Sequence, residues 1–279
     1  MIEFKKTNID NLNKYIKLYK KAFKNFTKSY NYFNWLYVDN PQGSFVGVDC
    51  YDDDILIGQV GGIPHDFIFN KKKVKFLISI NVCVDPKYQG QGIFSKLLLK
   101  FEQTAKDLDF DGIIAVANKA ASQPWQRSVK LKKLKALDVF VGYGKLNLDR
   151  FKKSNYNFYT LWDKRNFEWR MKNPMNKTYF QINKNNKSIY SKTNFLFINA
   201  YSPMIFLDED VKSEKINDLF FKPSVYVGLV NDFKKTPFMF NLPEFLKPSP
   251  LNFLYKFLKS DDVLDEKKIF FTFLDFDAF

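Results

Sequence analysis

The sequence has very little cysteine and histidine and no long apolar run. Its 279 residues include two cysteines, Cys50 and Cys83, and one histidine, His65. Two cysteines make neither a disulfide framework nor a zinc cluster, so we expect no metal. No run of 18 apolar residues is present, and the first residues lack the apolar stretch of a secretory signal. We therefore expect a cytoplasmic protein that does not insert into a membrane.

Acidic residues are outnumbered, because 44 Lys and Arg stand against 30 Asp and Glu, which gives a net charge of +14. A basic balance can indicate nucleic acid, anionic lipid or a phosphorylated ligand. The lysines are spread along the whole chain rather than gathered in one arm, and Lys, Asn, Ile, Phe and Tyr are abundant throughout. Composition thus accounts for most of the charge, and we do not expect nucleic acid as a partner. The oligomeric state, monomer or homodimer, stays open.

Hydrophobic periodicity predicts an α/β protein with a mixed sheet. Apolar residues recur at helical spacing in some segments and alternate, or run continuously, in others. The predicted helices are 8–24, 93–108 and 123–137, and the predicted strands are 2–6, 44–51, 55–69, 71–84, 112–118 and part of 138–148.

The chain then repeats a pattern. Residues 33–41 (FNWLYVDNP) and 167–174 (FEWRMKNP) are both aromatic helical turns that end at Asn-Pro, and an alternating segment with a polar turn follows each. This repetition predicts two tandem modules, residues 1–148 and 149–279. We expect the second module to complete the acceptor side of a ligand cleft, because domain interfaces are common ligand sites.

A glycine turn stands between a predicted strand and a predicted helix in the peptide DPKYQGQGIFSK, residues 85–96. Gly90 and Gly92 permit a tight turn, and the helix that follows begins with N–H groups that have no intrahelical partner. With the helix dipole, such a turn favours phosphate. It is not a dinucleotide fingerprint, since Ser95 takes the place of the third glycine, and it is not a P-loop, which requires G-x-x-x-x-G-K-[ST].

The pattern V-x-P-x-x-Q-G-x-G, read as Val84, Pro86, Gln89, Gly90 and Gly92, resembles motif A of the GNAT N-acetyltransferase superfamily. The usual motif has Gly or Ala where this sequence has Phe94. After the next predicted strand, Asn118, Ala121 and Trp125 resemble the family's N-x-x-A-x-x-x-Y. The resemblance covers residues 1–148, and the later chain resembles the degenerate second half of two-module GNAT proteins, without the cofactor loop.

The resemblance implies acetyl-CoA as the co-substrate. In this family pantetheine lies between two splayed strands and the pyrophosphate lies on the glycine turn. Carried over to this sequence, the implied cofactor-binding residues are Val82, Cys83, Val84, Gln89, Gly90, Gln91, Gly92, Ile93, Phe94, Asn118 and Trp125.

Candidates for the acid and base chemistry are few. Asn81, at the cleft end of its strand, could orient an acceptor, and His65, on or near the third predicted strand, could serve as a base. The resemblance places Trp125 where the family has its acidic tyrosine, and indole cannot give a proton to a thiolate. Tyr143 or Tyr88 could replace it. Cys83 in a buried strand is expected to be an inert small apolar residue.

These observations predict an acyl-CoA-dependent N-acyltransferase that transfers an acetyl group to the amine of a small molecule such as an amino sugar. Two alternatives stay open. One is an aminoacyl-tRNA-dependent transferase that resembles Fem enzymes, which the charge favours and the intact glycine turn disfavours. The other is a non-catalytic protein that binds coenzyme A or nucleic acid, which the tryptophan at the acid position suggests.

Overall fold

The computed structural model describes most of the chain, and the element bounds follow from it. The described residues are 1–143, 146, 152–183, 186–193, 197–204, 206–207, 223–231, 238–243, 246–247 and 249–276. Their α-helices are α1 (Leu12–Ala22), α2 (Tyr30–Tyr37), α3 (Ile93–Asp107), α4 (Lys119–Pro124) and α5 (Lys164–Met171). Their strands are β1 (Ile2–Lys6), β2 (Val46–Asp52), β3 (Ile55–Phe69), β4 (Lys72–Val84), β5 (Gly112–Ala117), β6 (Lys132–Ala136), β7 (Asp138–Gly142), β8 (Phe158–Thr160), β9 (Thr178–Asn183), β10 (Asn186–Lys192), β11 (Asn199–Pro203), β12 (Ser224–Leu229), β13 (Met239–Asn241), β14 (Asn252–Phe257) and β15 (Ile269–Thr272).

Two compact units divide the chain, and they do not follow it in two sequence blocks. The first unit consists of residues 1–65, 75–135 and 251–263, and the second of residues 66–74, 136–250 and 264–279. A late segment with β14 thus belongs to the first unit, and the tip of the β3–β4 hairpin belongs to the second. The sequence division at 148/149 stays a prediction about duplication, since compactness divides the chain differently.

The first unit contains a mixed sheet in the order β1-β2-β3-β4-β5-β14-β6. The pairs β1–β2, β2–β3 and β5–β14 are antiparallel, whereas β4 and β5 are parallel. A parallel pair needs a crossover connection, and α3 supplies it. The mixed α/β fold predicted from the periodicity is confirmed.

In the second unit the sheet has the order β8-β15-β12-β11-β10-β9, and β7 pairs with both β12 and β13. The end of β3 adds to it, because Phe67–Phe69 pair with β8. A core of aromatic side chains, among them Phe140, Tyr201 and Tyr226, is buried within this unit. It holds no counterpart of the glycine turn among its described residues.

Helical spacing predicted the buried side of α3 well. Ile93, Leu97, Leu98, Phe101 and Ala105 are all buried in the core of the first unit. Leu108, the last residue of the predicted helix 93–108, is 48% exposed because α3 ends at Asp107. The packed side of α3 therefore fixes where its N-terminus, and the turn before it, must lie on the sheet.

The predicted helix 123–137 is wrong. The chain forms α4, then a π-helical turn at Trp125–Val129, and then strand β6. Lys130 ends the turn in the left-handed region, with φ of 62°. β6 pairs with β14, a strand from far along the chain, so long-range pairing overrides the local helical pattern.

The repeated pattern corresponds to similar local structures. The first copy contains α2 and the antiparallel pair β2–β3, and the second contains α5 and the antiparallel pair β9–β10. The later strand of the second copy, β12, is present, but residues 232–237 after it lie outside the described part. Duplication of the module stays a prediction.

Candidate functional site

Two parallel strands separate partway along their length and open a site in the first unit. β4 and β5 pair from Phe76–Gly112 to Ser79–Ala115, and the pairing of these described strands stops there. β4 continues to Val84, while β5 stays paired with β14 on its other side as far as Ala117. The edge of β4 beyond Ser79 therefore presents backbone N–H and C=O groups without a strand partner on that side.

Asn81 is a left-handed residue within β4. Its φ is 51°, in the left-handed region, which a residue without a Cβ branch and with a short polar side chain tolerates best. The residue is half-buried, and its Nδ2 donates to Tyr37 Oη at 2.8 Å. A single left-handed residue inside a strand re-aims the residues that follow, here Val82 to Val84.

The glycine turn leads from β4 to α3 as predicted. Gly90 and Gly92 have φ of 80° and 74°, and a Cβ at either position would meet no atom within 4 Å. Gly92 caps α3 without a side-chain hydrogen bond, so no side chain covers the first N–H groups of the helix. Gln89 Nε2 donates to Val84 O at 3.3 Å and ties the turn to the strand end.

These elements enclose a cleft of about 300 Å³. None of the described residues that line it is acidic, so nothing in its wall repels an anion. It is lined by Ala22, Phe23, Val82, Cys83, Val84, Tyr88, Gln89, Gly90, Gly92, Ile93 and Phe94.

The comparison with known families agrees with this geometry. The sequence model of the Acetyltransferase (GNAT) family matches residues 11–127, which include the separated strands, the glycine turn and α3. The match covers 117 of the 279 residues, so the likeness to the GNAT family applies to that segment. No sequence among the curated proteins matches the chain.

Solved structures share the fold over most of the chain. A GCN5-related N-acetyltransferase from Anabaena variabilis is 12% identical, with a TM-score of 0.61 over 92% of this chain and 73% of its own. A probable N-acyltransferase from Enterococcus faecalis, a protein of unknown function, is 11% identical, with a TM-score of 0.59 over 93% and 73%. A GCN5-related N-acetyltransferase from Kribbella flavida is 10% identical, with a TM-score of 0.58 over 92% and 71%. At these identities the likeness shows the fold alone.

Most of the predicted cofactor-binding residues lie in the cleft wall. Eight of the eleven line it, namely Val82, Cys83, Val84, Gln89, Gly90, Gly92, Ile93 and Phe94. Gln91 is exposed in the same turn, and Asn118 is exposed at the N-cap of α4, where its side chain accepts from Ala121 N at 2.9 Å. The roles of these two residues at the cofactor stay predictions.

Trp125 lies in the core rather than in the cleft wall. Its side chain is 1% exposed and meets Phe101 edge-on, with ring centroids 6.0 Å apart. Trp125 therefore contributes to packing in the first unit. The tyrosine that the family resemblance leads one to expect is replaced by a structural residue, and a contact of Trp125 with the cofactor stays a prediction.

The three catalytic candidates lie in different surroundings. Asn81 is in β4 directly before the cleft-lining residues, and His65 is in β3 with only 4% of its surface exposed. Tyr143 belongs to the second unit, follows β7 and is 56% exposed. Their catalytic roles stay predictions.

Burial and hydrogen bonding set the pKa values around the cleft. Burial raises the pKa of the Cys83 thiol well above its usual range, so the thiol stays protonated and is a poor nucleophile. A hydrogen bond to Asp52 raises the pKa of Tyr88, whose hydroxyl therefore keeps its proton. Burial acts to raise the pKa of Asp85, but hydrogen bonds from Lys87 N and Lys21 Nζ outweigh it and hold the pKa below its ordinary value.

Sequence reasoning missed Ala22 and Phe23, which end α1 and line the cleft. No signal in the sequence marks these two residues, since the end of an amphipathic helix that lines a cleft has the same pattern as one that does not. It also missed the polar groups behind Asn81, although two tyrosines on the apolar side of α1, Tyr15 and Tyr19, were a signal, because a buried hydroxyl needs a partner.

The described part of the chain shows neither a metal site nor a membrane-spanning helix. Among the described residues, no group of three or more His, Cys, Asp or Glu side chains could hold a metal ion. No helix in that part of the chain is both long and apolar enough to cross a membrane.

Proposed function

We propose that this chain is an acyl-CoA-dependent N-acyltransferase that moves an acetyl group to the amine of a small molecule, with amino sugars as the first candidates. The observation that carries the proposal is the cleft itself. It joins an unpaired strand edge, two glycines in the left-handed region and an uncapped helix N-terminus in a domain of the GNAT family.

The cleft fits the parts of coenzyme A. Backbone groups of β4 near Val82, beyond the last pair with β5, suit the amides of a pantetheine arm, which would pair with the strand edge as another strand does. The N–H groups from Gly90 to Phe94 suit a pyrophosphate at the start of α3. Phe23 and Ile93 supply apolar wall for the rest of the arm.

Acetyl-CoA brings an activated thioester, and the residues of the chain do the rest. A backbone N–H of β4 beyond Ser79 would donate to the carbonyl oxygen on which negative charge develops, and such a donor is worth about 3 kcal/mol in comparable sites. Holding the amine beside the thioester supplies much of the remaining rate. Tyr88 lies in the cleft wall, and its hydroxyl, which donates to Asp52 at 3.1 Å, would have to leave that carboxylate to reach the departing sulfur.

A pair of glycine variants tests the cofactor site. Gly90→Val places a side chain in open space where the pyrophosphate would lie, and we expect acetyl-CoA affinity to fall at least about 100-fold by calorimetry. Gly43→Val is a control for a bulky residue at a positive φ, here 137°, outside the cleft, and acetyl-CoA affinity should be retained. Because a Cβ at Gly43 would also meet Pro64 at 3.0 Å, circular dichroism first establishes that this variant is folded.

The result divides the alternatives. Equal affinity in Gly90→Val and the wild-type protein would contradict the assignment of the turn. If acetyl-CoA binds, a panel of amines that begins with D-glucosamine is then screened for acetylated product by mass spectrometry. Binding without any product would favour a non-catalytic coenzyme A protein, and salt-sensitive binding of tRNA without binding of acetyl-CoA would favour the aminoacyl-tRNA-dependent alternative.

A further inference from the structure

A continuous series of hydrogen bonds runs from Asn81, at the cleft strand, into the interior of the first unit. Asn81 Nδ2 donates to Tyr37 Oη at 2.8 Å, and Tyr37 Oη lies 3.1 Å from Tyr19 Oη. Tyr19 donates to Gln59 Oε1, and Gln59 Nε2 donates to Asp49 Oδ1 at 3.2 Å. Tyr37, Tyr19, Gln59 and Asp49 are at most 1% exposed, whereas Asn81 is half-buried. We call this series the Asp49–Asn81 chain.

Counting protons gives the Asp49–Asn81 chain a single direction. An ionised carboxylate only accepts, so the Gln59 amide must turn Nε2 to Asp49 and Oε1 to Tyr19. Tyr19 has one hydroxyl proton and gives it to Gln59, so Tyr37 must donate to Tyr19. Tyr37 then has only lone pairs to offer, and the group of Asn81 that faces it must be Nδ2.

The orientation of the Asn81 amide is therefore fixed from a distance by the charge of Asp49. A flipped amide would set its oxygen against the lone pairs of Tyr37 and leave buried groups unpaired, which costs about 1–3 kcal/mol. In the native orientation Oδ1 is left over, and it accepts no hydrogen bond from any of the described residues. It belongs to the residue that directly precedes the cleft-lining Val82.

The Asp49–Asn81 chain cannot serve as a proton relay. A relay needs every member to take up and give off a proton, and the amide of Gln59 does neither at neutral pH. A proton released in the cleft thus has no path through these groups to Asp49, and Asp49 is not a general base for the reaction. The Asp49–Asn81 chain can instead fix the orientation of the Asn81 amide.

We propose that Asn81 Oδ1 accepts an N–H of the acceptor amine and that the Asp49–Asn81 chain holds the amide in the orientation this requires. The proposal rests on the N-acyltransferase function proposed above. It makes Asn81 the group that contacts the acceptor, and Tyr37, Tyr19, Gln59 and Asp49 positioning residues. A bound N–H directs the amine's lone pair, and a small error in that direction slows acyl transfer.

Three phenylalanine variants test the proposal. Tyr37→Phe and Tyr19→Phe each interrupt the chain with the loss of a single oxygen, and the stacking of Tyr37 on Phe45, with centroids 3.8 Å apart, survives the change. Tyr15→Phe is the matched control. The Tyr15 hydroxyl lies 2.8 Å from Asp49 Oδ2 and 2.8 Å from Asn8 O, so its one proton is shared between these two acceptors, and it stands outside the series that leads to Asn81.

The first measurement needs no acceptor. In protein labelled with ¹⁵N-asparagine, the side-chain NH₂ signals that vanish in Asn81→Asp identify Asn81. We expect its NH₂ protons to exchange with solvent faster in Tyr37→Phe and Tyr19→Phe than in the wild-type protein and in Tyr15→Phe. Unchanged exchange in both interrupted variants would overturn the proposal, and Tyr19→Phe keeps it testable if Tyr37→Phe does not fold.

The second measurement is kinetic and uses the amine that the wild-type protein acetylates fastest in the panel that begins with D-glucosamine. We expect kcat/KM for the amine to fall about tenfold in both interrupted variants, as for one hydrogen bond, with unchanged acetyl-CoA affinity. Tyr15→Phe should match the wild-type protein. An equal loss in Tyr15→Phe, or no loss in Tyr37→Phe, would overturn the positioning role. Absence of turnover in the wild-type protein would instead count against the proposed function, and the exchange measurement would still decide whether the chain holds Asn81.

Discussion

Each of the two units buries one aspartate whose pKa is raised to about 6, and the two carboxyl groups are held in different ways. Burial raises the pKa of Asp49, against hydrogen bonds from Tyr15, Gln59 and Tyr51. Burial likewise raises the pKa of Asp275, against hydrogen bonds from Thr160 and Thr272 and the charge of Arg170. Asp49 has neutral partners that lead to a half-buried cleft residue, whereas Asp275 joins elements of one core and faces a buried cation.

The difference indicates two uses of the same buried group. Around Asp275, Thr160 of β8 donates at 2.6 Å, Thr272 N of β15 donates at 2.6 Å, and Arg170 of α5 also donates to the carbonyls of Phe273 and Phe276. This arrangement ties three elements together and suits stability. Around Asp49, part of the bonding leads outward to Asn81, whose Oδ1 accepts from none of the residues that the structure describes, and this arrangement suits control of a site.

Removing Asp275 should have the largest effect on stability. Asp275→Ala leaves the buried Arg170 without its counter-charge, and such a loss costs about 3–5 kcal/mol. Asp49→Ala strands only neutral donors, and we expect roughly 1–3 kcal/mol. Urea unfolding measures both, and Asp261→Ala, an exposed aspartate, is the control with little expected change. An equal cost for the two buried aspartates would break the comparison.

The dependence of stability on pH comes next in size. For each aspartate the pKa is raised from 3.8 to about 6, so the stabilising contribution is fully present below about pH 4 and is lost as the pH rises through about 6. Asparagine resembles the protonated aspartic acid side chain in shape and is neutral at every pH in this range. Between pH 4 and pH 7.5, Asp49→Asn should therefore gain roughly 2–3 kcal/mol relative to the wild-type protein.

The difference between variant and wild-type protein is the quantity to follow. Asp85 and Glu102 have lowered pKa values, so their contributions are lost as the pH falls and partly mask the trend in the wild-type protein. Urea unfolding at several pH values gives the difference for Asp49→Asn and Asp275→Asn. If the difference in free energy of unfolding between variant and wild-type protein does not change with pH, the pKa of that aspartate is not raised.

Much of this molecule could be predicted from its sequence where the cause is local. The buried side of α3, the hairpin strands and the glycine turn follow from periodicity and from residues that adopt positive φ. β6 was mistaken for helix because its partner, β14, lies more than a hundred residues further along the chain. Such pairing leaves no mark in the segment itself.

The candidate site divides in the same way. Eight of the predicted cofactor-binding residues line the cleft, and all eight lie within residues 82–94, where the spacing is recognisable. The Asp49–Asn81 chain draws on α1, α2, β2, β3 and β4, and its polarity depends on how many protons each group can donate. No spacing in the sequence encodes that, although Asp49 stands in a strand whose neighbours Val48 and Cys50 are also buried.

The smallest effect concerns single donors to each carboxylate. Thr160→Val removes a hydrogen bond of 2.6 Å from Asp275, and Tyr51→Phe removes one of 3.3 Å from Asp49. Both bonds favour the ionised form, so each variant should raise the pKa of its aspartate above about 6. Titration of the carboxyl carbons by ¹³C NMR measures both values.

The shorter bond should give the larger rise, and the rise for Tyr51→Phe should be slight, because a 3.3 Å contact is at the long end of hydrogen-bond geometry and Tyr15 and Gln59 still donate to the same carboxylate. The exchange of the Asn81 amide should also stay unchanged in Tyr51→Phe, since Tyr51 lies outside the series. If the Asn81 amide exchanges faster in Tyr51→Phe, every donor to Asp49 affects Asn81 and not only those of the Asp49–Asn81 chain. The contrast between the hydrogen bonds of Asp49 and those of Asp275 is then lost.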